Sequence, residues 1–116
     1  IDWNMVLNRQ GGPNWFENWC VAPVIVDPDA DEVYYTPIYY TMAHFSKFIR
    51  PGAKRIDFNS TDEELQVSAA TNPDGSHVLI VFNPSETEKV FELDIEETSQ
   101  QISINPQAIQ TITIAK

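Results

Sequence analysis

Residues 36–52 read TPIYYTMAHFSKFIRPG and carry the clearest helical pattern of the chain. Apolar residues recur there at the spacing of one helix face: Ile38, Met42, Phe45 and Ile49. Thr36 is a candidate N-cap, Pro37 suits the first turn, and Pro51-Gly52 ends the pattern. The sequence therefore predicts one helix here, with a broad aromatic stripe that needs an extensive partner surface.

Strand patterns lie on both sides of this helix. Before it, Ile1–Leu7 and Ala22–Asp27 are predicted as short strands, and from Arg55 onward apolar residues alternate with polar ones. The residues of the first strand expected to face inward are Trp3, Met5 and Leu7. Turn sequences such as Asn72–Ser76 separate the later strands at intervals typical of an antiparallel sandwich. A strand followed by a crossover helix cannot close a sheet alone. We therefore expect an α+β chain made of the last βα unit of a larger α/β domain, residues 1–54, and an appended β-sandwich, residues 55–116.

The charge and composition limit the classes of function. The 116 residues carry a formal charge of −10, and residues 59–116 hold ten acidic and two basic residues. This field repels phosphate backbones and anionic lipids, which argues against nucleic-acid binding. One cysteine, Cys20, excludes an internal disulfide. With two histidines far apart in the sequence we expect no metal cluster, and we expect no cofactor.

Several motifs in order along the chain closely resemble glycoside hydrolase family 30. The similarity is closest to its glucosylceramidase-like branch, with the β-1,6-glucanases related. The motifs that carry it are Trp3–Asn8, Gly11–Trp15, Asn18-Trp19, Ala22–Val26 and His44–Gly52. The resemblance covers Ile1 to Arg55 most specifically and continues more loosely into the sandwich.

The resemblance implies the end of a (β/α)8 TIM barrel with a side β-sandwich, and retaining hydrolysis of a β-glycoside. Retention needs two carboxyl groups about 5 Å apart. In this family they are glutamates on earlier barrel strands, so both are expected to precede Ile1, and a whole barrel needs about 250 residues. We therefore expect no catalytic residue in this chain and no activity of the chain alone. The parent is expected to be a hydrolase acting on β-glucosides or related glycans and glycolipids.

The resemblance also assigns pocket residues. Trp3 and Asn18 match residues that line the glycone pocket, Trp19 matches an aromatic residue at its rim, and Asp2 matches a pocket-side acid. From the residues alone, the favoured interpretation of Trp3 is a buried core tryptophan, and Asn18 either contacts sugar or hydrogen-bonds its own loop. The adjacent carboxylates Glu63-Glu64 and Glu96-Glu97 are predicted as surface, because neighbours in a strand point to opposite faces.

Other classes of function remain open for the sandwich. It could be a carbohydrate-binding module, although residues 55–116 contain no Trp or Tyr, or a purely structural domain. Unpaired strand edges and the apolar helix stripe predict self-association when the missing barrel portion is absent. The parent is expected to be extracellular or periplasmic.

Overall fold

The computed structural model describes residues 3–95 and 98–116. These residues form nine strands and one helix, in two compact units that divide after Ala43. The elements, in chain order, are β1 Val6–Asn8, β2 Val24–Asp27, β3 Glu32–Tyr35, α1 Pro37–Phe48, β4 Lys54–Arg55, β5 Gln66–Thr71, β6 His77–Asn83, β7 Lys89–Ile95, β8 Thr98–Ile104 and β9 Ala108–Ile114.

The first unit contains a three-stranded sheet in the order β1-β2-β3. β1 runs parallel to β2, with Leu7 opposite Ile25, and β3 returns antiparallel to β2. Of the strand predicted over Ile1–Leu7, Ile1 and Asp2 lie outside the described residues, and the described part pairs over fewer residues than expected. The chain bends at Trp3 and Met5, so extended pairing begins at Val6, and Leu7 is the buried member of the expected inward set.

Strand β3 was not predicted. Its residues show no alternation, and all four side chains are exposed. It forms because Asp27 turns the chain back on itself: the Asp27 carboxylate accepts hydrogen bonds from the amides of Asp29 (3.2 Å) and Ala30 (3.3 Å). This local turn lays β3 along β2, where backbone hydrogen bonds hold it.

The helix is present where the sequence predicts it, from Pro37 to Phe48. None of its residues is fully buried. The Thr36 hydroxyl does not cap the helix, because it donates to the carbonyls of Ala22 and Pro23 instead. The Tyr39 amide in the first turn donates to the Thr36 carbonyl. Among the described residues no helix is long and apolar enough to cross a bilayer.

The second unit is the sandwich. A four-stranded antiparallel sheet, in the order β4-β5-β6-β9, faces the two-stranded sheet β7-β8. Leu65, Val81 and Ile104 form the buried core cluster. Partly buried side chains from both sheets pack against this cluster: Val67, Phe91, Ala108 and Ile112. The continuous apolar run Val78–Val81 is buried, as expected of a central strand.

Candidate pocket loop

The candidate site lies on the loop that leaves β1 at Asn8 and enters β2 at Val24. Its base is fixed by Asn8, whose side-chain oxygen accepts hydrogen bonds from the amides of Gln10 (3.0 Å) and Gly12 (2.8 Å). The Asn8 amide donates to the Gly12 carbonyl (2.7 Å), and its carbonyl accepts from the Gly11 amide (3.0 Å). Four hydrogen bonds thus hold the entry of the loop in one conformation.

The two ends of the loop approach each other at Gly11. This residue has a φ of +69°, and a Cβ placed on it would lie 2.5 Å from the Cys20 amide nitrogen. Only glycine fits such a left-handed position against neighbouring backbone. The Asn14 side chain lies close to the carbonyls of Gln10 and Gly11, at 3.5 and 3.4 Å. Asn14 therefore contacts the backbone of its own loop.

The far part of the loop exposes aromatic side chains. Trp15 is 88% exposed, Phe16 is 93% exposed and Trp19 is 68% exposed. Phe16 and Glu17 have φ values of 67° and 54°, the left-handed region that non-glycine residues rarely occupy. The backbone thus reverses direction just before Asn18 and Trp19.

The predicted pocket residues fall in two places. Asn18 and Trp19 are neighbours on the exposed part of the loop. Trp3 lies in the bend before β1 and is 81% exposed, which excludes a core role within the described chain. Asp2 lies outside the described residues, as do Glu96 and Glu97. The roles of Trp3, Asn18, Trp19 and Asp2 in sugar binding stay predictions.

An ion pair links the start of the loop to β2. Arg9 Nη1 lies 2.9 Å from Asp27 Oδ2, and the Asp27 side chain is buried while that of Arg9 is mostly exposed. This hydrogen bond, with those from the amides of Ala30 and Asp29, holds the pKa of Asp27 below its usual value of 3.8 and raises the pKa of Arg9. This ion pair could not be predicted from the sequence, because its members are eighteen residues apart and no shared motif contains them.

The loop exposes groups of the kinds that can contact a sugar. Aromatic faces pack against sugar C–H groups, and the Asn18 amide can donate to and accept from hydroxyls. Glu17 is the carboxylate nearest to Asn18 in sequence, and it is exposed. No group of three or more His, Cys, Asp and Glu side chains in the described ranges is arranged to hold a metal ion.

Comparisons with known proteins identify what these segments resemble. Residues 1–49 match the model of the glycosyl hydrolase family 30 TIM-barrel domain, and residues 52–112 match that of the family 30 β-sandwich domain. The mouse lysosomal acid glucosylceramidase is 44% identical over 85 residues, which cover 72% of this chain and 16% of that protein.

Two solved structures share the fold over nearly the whole chain. SrfJ from Salmonella typhimurium has a TM-score of 0.95 at 32% identity, covering 100% of this chain and 26% of that one. An endo-β1,6-glucanase has a TM-score of 0.88 at 26% identity, covering 98% of this chain and 26% of its own. The chain thus spans between 16% and 26% of the length of these proteins. The expected architecture, a barrel-end βα unit followed by a β-sandwich, is confirmed.

Proposed function

Because the chain belongs to glycosyl hydrolase family 30, we propose that it is part of a retaining β-glycosidase resembling glucosylceramidases, and that it supplies one wall of the sugar pocket. In this proposal Trp3, Asn18, Trp19 and Asp2 face the glycone. The acid/base carboxylate and the nucleophile carboxylate come from residues of the parent protein that are not among the 116 residues of this chain. The substrate is a β-glucoside or a related glycan or glycolipid.

The observation that carries the proposal is the exposure of Asn18 beside Trp19 on a loop with a fixed base. A pocket wall must hold its contact groups in place before the sugar arrives, because ordering them on binding would cost affinity. The hydrogen bonds of Asn8 and the close approach at Gly11 supply that order. In barrel enzymes, loops that follow strands form the site.

Mechanistically, the wall orients the ring while the carboxylates of the parent act. In a retaining reaction one carboxylate attacks the anomeric carbon and the other protonates the leaving oxygen, then activates water to release the sugar. The Asn18 amide would bond a ring hydroxyl throughout, and the Trp19 indole would exclude water from one side. Both groups would therefore contribute through positioning.

The test uses the parent enzyme with an aryl β-glucoside. Asn18→Ala removes about 1–3 kcal/mol of hydrogen bonding to a sugar hydroxyl, so kcat/KM should fall about 5- to 150-fold. Trp19→Ala should lower it as well, whereas Val33→Ala, a truncation of an exposed residue on β3, should leave it unchanged. An inert parent would refute the glycosidase proposal. Normal kinetics in both loop variants would refute the pocket role alone.

The isolated chain tests where the catalytic carboxylates lie. We expect no turnover of the aryl β-glucoside by residues 1–116. Hydrolysis by this chain, abolished by substitution of one of its own carboxylates, would contradict the proposal.

For the sandwich we propose a structural role rather than independent sugar binding. Its residues 55–116 offer Phe58 and Phe82 as the large aromatic side chains with substantial exposure, and no Trp or Tyr. Within the second unit its strands hold the end of α1: His44 Nδ1 lies 2.7 Å from Thr111 Oγ1. Binding of gluco-oligosaccharides that survives Asn18→Ala and Trp19→Ala would favour a binding module instead.

A further inference from the structure

The segment between β4 and β5 contains a feature that sugar binding does not use. Asn59-Ser60-Thr61 is the one place in the sequence where an Asn is followed, two residues later, by Ser or Thr with a residue other than Pro between them. This is the acceptor pattern for N-linked glycans, and it requires a surface segment to be tolerated in a folded protein.

The structure meets that requirement. Asn59, Ser60 and Thr61 are all exposed and lie outside regular secondary structure. The Asn59 side chain makes no hydrogen bond to any residue that the structure describes, so its amide nitrogen is available. Directly after it the Ser60 hydroxyl makes a local hydrogen bond to the Asp62 carbonyl (2.9 Å).

There is room for a large substituent beside Asn59. An open cleft of about 780 Å³ borders the segment Ile56–Asp62 and continues to β7. Core residues Leu65 and Val81 also line this cleft, so a glycan on the exposed Asn59 fits by extending outward into solvent rather than into the cleft.

Asn83 provides the contrast. It also has a serine two residues later, but Pro84 stands between them, and its side chain is fully buried. Its amide nitrogen donates to the carbonyls of Thr87 (2.8 Å) and Asn105 (3.0 Å). The chain thus holds one accessible acceptor asparagine and one whose sequence and burial both forbid modification.

We propose that Asn59 is an N-glycosylation site when the chain enters a secretory pathway that carries an oligosaccharyltransferase. The donor is a lipid-linked oligosaccharide pyrophosphate. The Asn59 Nδ2 atom forms a bond to the anomeric carbon of its first sugar, the bond from that carbon to the pyrophosphate oxygen breaks, the amide loses one proton, and the lipid pyrophosphate leaves. Thr61 is the hydroxyl residue that the transferase recognises.

The experiment directs residues 1–116 through the secretory pathway of eukaryotic cells with an added signal peptide and measures the intact mass. We expect one glycan, removed by peptide N-glycosidase with conversion of Asn59 to Asp. Asn59→Gln and Thr61→Ala should both lose the glycan, and Thr61→Ser should keep it.

Two results would overturn the proposal: a secreted chain with the unmodified mass, or a glycan that persists in Asn59→Gln. Because the readout is mass, it is independent of hydrolase activity. A parent that failed to cleave β-glucosides would leave this inference intact, and an unglycosylated chain would leave the glycosidase proposal intact.

Discussion

Asn83 is the most deeply buried polar residue that the structure describes in the sandwich. It ends β6 with its side chain completely buried. Its amide nitrogen reaches the carbonyls of Thr87 and Asn105, and its oxygen accepts from the Ser85 amide (3.1 Å) and hydroxyl (2.7 Å). One side chain therefore joins the β6–β7 turn to the β8–β9 turn.

The cost of removing it can be worked from these contacts. A typical hydrogen bond contributes about 0.5–1.5 kcal/mol net, and a buried group left unpaired costs about 1–3 kcal/mol. Asn83→Ala removes two hydrogen bonds that the side-chain nitrogen donates and two that the side-chain oxygen accepts. Some of the partner groups can form hydrogen bonds with water instead. We expect a loss of about 3 kcal/mol in the free energy of unfolding. A compact unit of this size has on the order of 5–10 kcal/mol in total, so this loss is severe.

Urea denaturation followed by far-UV circular dichroism measures the loss. Hydrogen exchange in β6, β8 and β9 assigns it to the second unit, since all three tryptophans lie in the first. Asn59→Ala is the matched control, because this exposed asparagine makes no described hydrogen bond, and it should change stability by less than about 0.5 kcal/mol. Asn83→Asp keeps the shape but turns a carboxylate toward carbonyl oxygens, so it should be at least as harmful at neutral pH. An Asn83→Ala variant as stable as Asn59→Ala would refute the reasoning.

Three further predictions follow from other contacts. Asn72→Ala should destabilise the second unit by about 2 kcal/mol, measured by urea denaturation, because the side chain bonds backbone groups at the end of α1. Gly11→Ala should lower the free energy of unfolding by more than about 1 kcal/mol, since the added Cβ would lie 2.5 Å from a backbone atom. Gly12→Ala should lower it less, because the nearest atom to its Cβ would be 3.3 Å away. Unfolding followed by tryptophan fluorescence compares the two variants. Because the folded-state pKa of Asp27 is lowered from 3.8, the stabilising contribution of this carboxylate is present above pH 3.8 and is lost as the pH falls through the lower folded pKa. The stability of the first unit, followed by tryptophan fluorescence, should therefore decrease in acid. Arg9→Met should weaken this pH dependence, and an unchanged acid profile in that variant would contradict the assignment.

The sequence predicted correctly those elements whose boundaries are set by residues close to them in the chain. The helix begins at Pro37, and the hairpin over Gln66–Asn83 turns at Asn72–Ser76, because proline, glycine and asparagine restrict or relax the backbone at those positions. These constraints act within a few residues, so they can be read without knowing the rest of the fold.

The sequence-based predictions failed for segments whose conformation depends on pairing with another strand or on exposure to solvent. The alternation of Trp3, Met5 and Leu7 predicts burial only if a sheet covers one face along its whole length, and the chain instead bends at Trp3 and Met5. Strand β3 depends on β2 and on the turn at Asp27, which no periodicity within Glu32–Tyr35 could indicate.

The sequence names candidate site residues, but it does not predict the backbone geometry around them. Motif similarity drew attention to Asn18 and Trp19, yet the left-handed backbone of Phe16 and Glu17 that precedes them has no sequence signature, since non-glycine residues seldom adopt it. The exposure of Phe16 beside these residues was not predicted either. The density of aromatic residues from Trp15 to Trp19 was the signal that could have revealed it.

The turns of the sandwich show a rule that connects sequence to stability. Each of the three asparagines Asn72, Asn83 and Asn105 precedes a proline at the end of a strand. Proline keeps the preceding residue out of the helical region, so the chain stays extended and the asparagine side chain is left to bridge to a neighbouring segment. In Asn72 and Asn83 the side chain does bridge and is buried, whereas Asn105 is exposed and contributes its backbone carbonyl to the contact with Asn83. If burial of the amide, rather than the Asn-Pro pair itself, determines the energy, then alanine at Asn83 should cost most, at Asn72 less, and at Asn105 almost nothing. Equal losses at all three positions would mean that the backbone restriction by proline, not the side-chain bridge, stabilises these turns.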